Sequence, residues 1–237
     1  MKVATPPSDG RTPGCARPAS LVAVCLLLVC LVWAIFGQTR NHDFINFDDN
    51  VYVSENPHVT GGLTRDSISW AFRTFQACNW HPLVWLSHEL DGELYGSRPG
   101  GHHLTNVVLH TLTAIGLFLA LIQLTSAFWR SAAVAAFWAA HPQRVESVAW
   151  IAERKDVLSG LLRVSQLSSE DDVPLLSTRA AALAECGRIP EAVAVAEHGR
   201  AMARAKADGN AAEGFERQLA AFAAGRAYRE VPSLPTL

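Results

Sequence analysis

From Ala19 to Gly37 the chain runs for roughly 19 residues without a charge, long enough to cross ~30 Å of hydrocarbon. A secretory signal is the competing reading. The run exceeds the usual apolar core of ~7–15 residues and no A-x-A-like cleavage site follows, so an uncleaved anchor is expected. Residues 1–18 are rich in Pro, Gly and Ser and carry Lys2, Arg11 and Arg17 against Asp9, which predicts a disordered tail. A basic tail before the first anchor places the N-terminus in the cytoplasm and residues 38–103 outside. Within that loop, Thr64–Phe75 sets Ile68, Ala71, Phe72 and Phe75 at helical spacing behind a Thr64 N-cap. This pattern suits a helix lying in the membrane interface. Asn79–Leu90 repeats the flavour, with Trp80 and Trp85 at headgroup level.

Leu104–Thr125 predicts a second span. His103, Asn106, His110 and Thr113 fall on one of its faces, and polar groups at membrane depth face protein or a wet cavity. Two uses stand open for that face: helix–helix hydrogen bonding or lining a substrate site. A third apolar segment over 128–141 is expected to complete a three-span unit, although it is shorter than the ~20 residues a span needs, and His141-Pro142 interrupts it. Val145–Leu158 reads as one further helix at the outer interface, and 161–173 as a polar linker. Residues 174–230 are Ala-rich and helical: Gly187 ends one helix, Pro190 opens a second, and Asn210 caps a third. The fold class is therefore all-α: membrane helices, an outer loop of interfacial helices, and a helical-hairpin tail.

Composition changes this picture little. With a net charge of −2, nothing suggests a nucleic-acid footprint, and no nucleic-acid partner is expected. Five cysteines without CxxC spacing argue against a disulfide framework or a zinc site, so no metal residues are assigned. His81 and His88, seven apart, are too weak a pattern to be read as metal ligands. The candidate chemistry lies in Asn41–Val53 (NHDFINFDDNVYV), where Asp48 and Asp49 sit among Phe44, Ile45, Phe47, Tyr52 and Val53 just past the first span. Such a pair is either ordinary loop or the acid/base centre of a membrane enzyme. An apolar surface and a neighbouring carboxylate both raise a carboxyl pKa toward general-base work.

Four ordered motifs then carry a resemblance: FINFDDNVYVSENPHV, NWHPLVWLSHELDGELYG, PGGHHLTNVVLH and HPQRVESVAWIAERKDVLS. Over about residues 40–160 the chain resembles the transmembrane and tetratricopeptide-repeat O-mannosyltransferase family, especially its bacterial members. AALAECGRIPEAVAVAEHGRAMA looks like one tetratricopeptide repeat. The resemblance implies a glycosyltransferase of the GT-C type in a bacterial inner membrane. It would pass a sugar, mannose by the family's habit, from a polyprenyl-phosphate carrier to a protein hydroxyl on the non-cytoplasmic side. The family's acidic pair maps onto Asp48 and Asp49 as catalytic residues. The leaving lipid phosphate needs cations, and the second outer segment offers Arg154, Lys155 and His141. Glu146, Glu153, His103 and His110 are candidate site-lining residues, with an ion-pair role open for the two glutamates. No cofactor is implied beyond the lipid-linked sugar, and the need for a divalent metal stays open. The expected partners are membrane lipid, the polyprenyl-phosphate donor and a protein acceptor.

The chain departs from the family in passing from Leu158 almost directly into repeat-like sequence, which reads as an internal deletion or truncation. Three crossings from a cytoplasmic N-terminus would leave the tail outside. The alternative function is a non-enzymatic membrane-anchored adaptor whose tail binds a partner protein.

Overall fold

The computed structural model describes residues 18–167 and 172–228. The expected cytoplasmic tail, apart from Pro18, lies outside the described residues. Every element among the described residues is helical. Among the described residues, two helices are long and apolar enough to cross a membrane: α1 (Pro18–Phe36), continued by a tight turn to Asn41, and α5 (Pro99–Thr125). At 1.5 Å per residue they measure about 28 and 40 Å.

Between them the loop folds into three short α-helices, α2 (Pro57–Thr60), α3 (Arg65–Ala71) and α4 (Pro82–Tyr95), with single helical turns at Asn50–Ser54 and Gln76–Cys78. Thr64 caps α3 through the Ser67 N–H, while the Ser67 hydroxyl accepts the Thr64 N–H, a reciprocal capping box. Asn56 caps α2 more simply, its side-chain oxygen accepting the His58 N–H. The second interfacial helix begins only at Pro82, where proline's missing N–H costs nothing. A glycine is required at position 92, because a Cβ there would collide with the Val59 carbonyl oxygen.

α1 and α5 run antiparallel. Leu21, Val24 and Leu28 meet Phe118 and Ile122, whereas Val32 and Phe36 meet Val107 and Ala114. α6 (Phe128–Ala139) returns along α5. Ser131 Oγ lies 3.4 Å from Thr125 Oγ1 near its start, and His110 Nε2 lies 3.0 Å from the Ala139 carbonyl oxygen at its end. The third span expected over 128–141 is thus a helix of 12 residues. That is about 18 Å, too short to cross the hydrocarbon alone.

The helix expected over Val145–Leu158 is also divided. α7 (Arg144–Ala149) stops at Trp150, whose extended backbone (φ −99°, ψ 121°) breaks the ladder. A single tight turn over Ile151–Glu153 leads into α8 (Arg154–Leu167). The expected linker at 161–173 is therefore helical through Leu167. α8 descends along α5, where Gly160 meets Thr113 and Gly116 makes room for Val164.

The tail comprises α9 (Val173–Glu185), α10 (Ile189–Ala205) and α11 (Gly209–Ala223) around a core of Leu176, Leu183, Ala196, Phe215 and Phe222. Gly187, at φ +75°, closes α9 with the Arg188 N–H on the Leu183 carbonyl. The tail packs α9 against α5, and Arg188 Nη1 donates to the Thr125 carbonyl at 3.3 Å. Three crossings would have put it beside the acidic loop instead. The physical reason for the difference is α8, which carries the chain back along α5 after the short α6 has climbed it.

Candidate functional site

The acidic pair divides its work. Asp49 is fully buried and its carboxylate accepts two backbone N–H groups at 2.9 Å, from Ile45 in its own loop and from Ala152 in the turn after Trp150. Burial pushes its pKa up, the two N–H bonds pull it down, and the Asp48 charge raises it slightly; the net direction is up. Both oxygens being engaged, Asp49 ties two distant segments together. Asp48 is the partly exposed member and accepts neither of those bonds.

The pair at Arg154 and Lys155 divides likewise. Arg154 was expected at a lipid phosphate; the structure buries it completely. Its Nη1 pairs with Asp91 Oδ2 at 2.6 Å and reaches Ser87 O at 3.1 Å. Its Nε donates to Asn106 Oδ1 at 2.8 Å and its Nη2 to the His102 carbonyl at 2.8 Å. Asp91 is completed by Thr105 Oγ1 at 2.7 Å. Burial lowers the Arg154 pKa while Asp91 raises it, and an arginine stays charged. Arg154 is a strut between α4, α5 and α8, with its donors committed. Adjacent helix residues point about 100° apart, so Lys155 turns outward with its side chain 42 % exposed. It donates to Glu153 Oε1 at 2.8 Å, and that bond raises its pKa.

Lys155 and His81 border an open apolar groove of ≈ 410 Å³, walled by Trp80, Leu83, Leu158 and Leu162. Behind it Tyr52 stacks on Trp85 (5.0 Å between centroids) and on His81 (5.8 Å). Burial raises the Tyr52 pKa, with Lys155 lowering it and Asp48 and Glu153 raising it, so all three charges lie within electrostatic reach of one ring. Burial and the Lys155 charge hold His81 below its usual value, neutral near pH 7.

The other expected residues fall elsewhere. Trp150 breaks the helix that would have aligned Glu146 and Glu153; Glu146 is exposed, and Glu153 holds Lys155. His141 packs edge-on against Phe137 (5.3 Å) and takes the Gln143 N–H, away from the Lys155 groove. His103, Asn106, His110 and Thr113 are all buried, so the polar face of α5 looks into protein. Asn106 bonds Arg154 and the Trp150 carbonyl, and His110 bonds α6: this half of the face is helix–helix hydrogen bonding. His103 meets only the edge of His42, at 5.9 Å, among the ring contacts. Among the described residues no cluster of His, Cys, Asp or Glu could hold a metal.

Sequence reading missed Asp91 and Tyr52. The signal for Asp91 was an acid beside a glycine within a largely apolar helical stretch. For Tyr52 there was only proximity to the acidic pair.

The fold and site define an all-α protein with two membrane-length helices among the described residues and a lysine and a histidine bordering an apolar groove. The chain is similar to protein O-mannosyl-transferase Tmtc1 of Drosophila melanogaster, 30% identical over 163 residues, 62% of this chain and 19% of that protein. It is similar also to Tmtc2 of the same organism, 29% identical over 141 residues (56% and 15%), and to TMTC1 of Mus musculus, 30% identical over 168 residues (65% and 17%). The chain spans less than a fifth of the length of each. No family model and no solved structure matches it.

Proposed function

We propose that this chain carries the donor- and acceptor-binding part of a membrane O-mannosyltransferase, related to the transmembrane and tetratricopeptide-repeat family. In this reading it transfers mannose from a polyprenyl-phosphate carrier to a protein hydroxyl on the non-cytoplasmic side. The observation that carries the reading is an apolar groove bordered by Lys155 and His81, with Tyr52 stacked on His81 and Asp48 within electrostatic reach of that tyrosine ring. The groove takes the lipid chain, and Lys155 faces the phosphate that leaves. Asp48 accepts the acceptor's hydroxyl proton as its oxygen attacks the anomeric carbon and the bond to the phosphate oxygen breaks. Arg154 and Asp49 act at one remove, holding Lys155 and Asp48 in place. The likeness of the chain to proteins named as O-mannosyl-transferases supports the reaction class.

The test is transfer of mannose from a polyprenyl-phosphate donor to a Ser/Thr peptide by the full chain in lipid nanodiscs, beside Asp48→Asn. Transfer by the wild type that falls to background in the variant is the expected outcome. A wild type that transfers nothing refutes the activity, and equal transfer by both refutes the role of Asp48.

A further inference from the structure

We infer that the helical tail lies on the opposite side of the membrane from the acidic loop, on the same side as the start of α1. The inference does not rest on the proposed activity. It follows from the contacts that mark depth along α5. Near its start, His102 and Asn106 meet Arg154 and the Trp150 carbonyl, and through them the Asp49 loop. At its far end Thr125 takes Arg188 of the tail. Asn106 and Thr125 are 19 residues apart, about 28 Å along a helix, close to the thickness of the hydrocarbon.

Three independent strands of contact agree on which end is which. Leu21 and Val24, at the beginning of α1, pack on Phe118 and Ile122, towards the Thr125 end. Phe36, at the close of α1, packs edge-on against His110 (5.4 Å), towards the loop end. α8 starts beside His102 and has descended to Gly116 by Val164, so the chain enters α9 already near the Thr125 end. Charge agrees with the geometry. Arg17 and Arg130 flank the α1 start and the α5–α6 turn, whereas acids outnumber bases in residues 38–98. The tail side is thus the cytoplasmic side. The tail cannot present an acceptor to Asp48; whatever α9–α11 bind, they meet it across the membrane from the site.

Two native cysteines read this directly. Cys78 lies exposed in the loop before α4, and Cys186 lies exposed at the end of α9. Full-length variants retaining only one of them, the other cysteines changed to serine, are labelled with a membrane-impermeant maleimide in right-side-out vesicles and again after permeabilisation. Cys78 is expected to label in sealed vesicles. Cys186 is expected to stay at background until the vesicles are opened, then to reach the level of Cys78. A third variant, Ser126→Cys in the α5–α6 turn on a cysteine-free background, is expected to follow Cys186. Labelling of Cys186 together with Cys78 in sealed vesicles overturns the inference, as does a Cys186 that resists labelling even after opening. None of these outcomes depends on sugar transfer.

Discussion

The Arg154–Asp91 pair gives the sharpest energetic expectation. Changing Asp91 to Leu removes the direct counter-charge of a guanidinium from a pair whose side chains are 0 and 3 % exposed. Removing one partner of a buried pair costs about 3–5 kcal/mol, because the survivor stays desolvated. Arg154→Met strands the Asp91 carboxylate and belongs in the same range. The double change Asp91→Leu/Arg154→Met removes both charges. The Ser87 and His102 carbonyls keep their helical i+4 partners. The main group left short is Asn106 Oδ1, whose cost is about 1–3 kcal/mol. The double variant is thus expected to be more stable than either single one, against additivity. Tryptophan-fluorescence melts in nanodiscs read the difference. With about 2–4 °C per kcal/mol at this size, each single change lowers Tm on the order of 10 °C, and the double change restores roughly half. Single variants that melt within about 3 °C of wild type, or a double variant at the sum of the two, would refute the strut.

The two aspartates are expected to separate by assay. Asp49→Asn turns an amide N–H toward a backbone donor and costs about 1–3 kcal/mol in melts, while Asp48→Asn leaves Tm unchanged and lowers transfer by about 10²–10⁴. Lys155→Gln is expected to weaken the lipid-phosphate donor, read as a rise in donor KM with little change in Tm; an unchanged KM removes Lys155 from the phosphate site. His88 is fully buried, and its pKa is held well below the usual value by burial and then by the Arg154 charge. The unfolded chain therefore binds a proton near pH 6.5 that the folded one refuses, so stability rises with pH up to about 6.5 and is lost as pH falls below it. Glu89, raised by burial, works in the opposite sense, with its loss beginning as pH rises above the unfolded carboxyl range. Melts from pH 7 to 5 should fall more steeply in wild type than in His88→Leu; equal slopes dismiss His88 as the group responsible.

The spans were legible because ~20 uncharged residues admit few other fates, and the Thr64 cap because its chemistry is local. The inward polar face of α5 was legible at the helical period, and all four of its residues are buried. The break at Trp150 was not. VESVAWIAERKD has the composition of one helix, and the bond that accompanies the break, from Ala152 to Asp49, spans 103 residues. The fate of Arg154 was hidden for the same reason, since Asp91 lies on another helix. The contact of the tail with the Thr125 end of α5 was not legible, because counting crossings treated α6 as a span and gave α8 no direction.

Both dipeptides that sequence marks out, Asp48-Asp49 and Arg154-Lys155, divide into a buried member and an outward one. The division follows from geometry: successive residues in helical backbone point apart, so two adjacent charges cannot share one environment. Each inward member ties its segment to another. Asp49 fastens the loop to Ala152, and Arg154, two residues further on, fastens that same turn to α4 and α5. The two anchors therefore act in series on one short piece of chain, Ala152–Arg154. Displacing either shifts Asp48 and Lys155 relative to each other without touching their charges. In this arrangement the family-like motifs describe a frame as much as a reactive centre. Asp49 and Arg154 belong to that frame, while Asp48 and Lys155 are the members left facing outward.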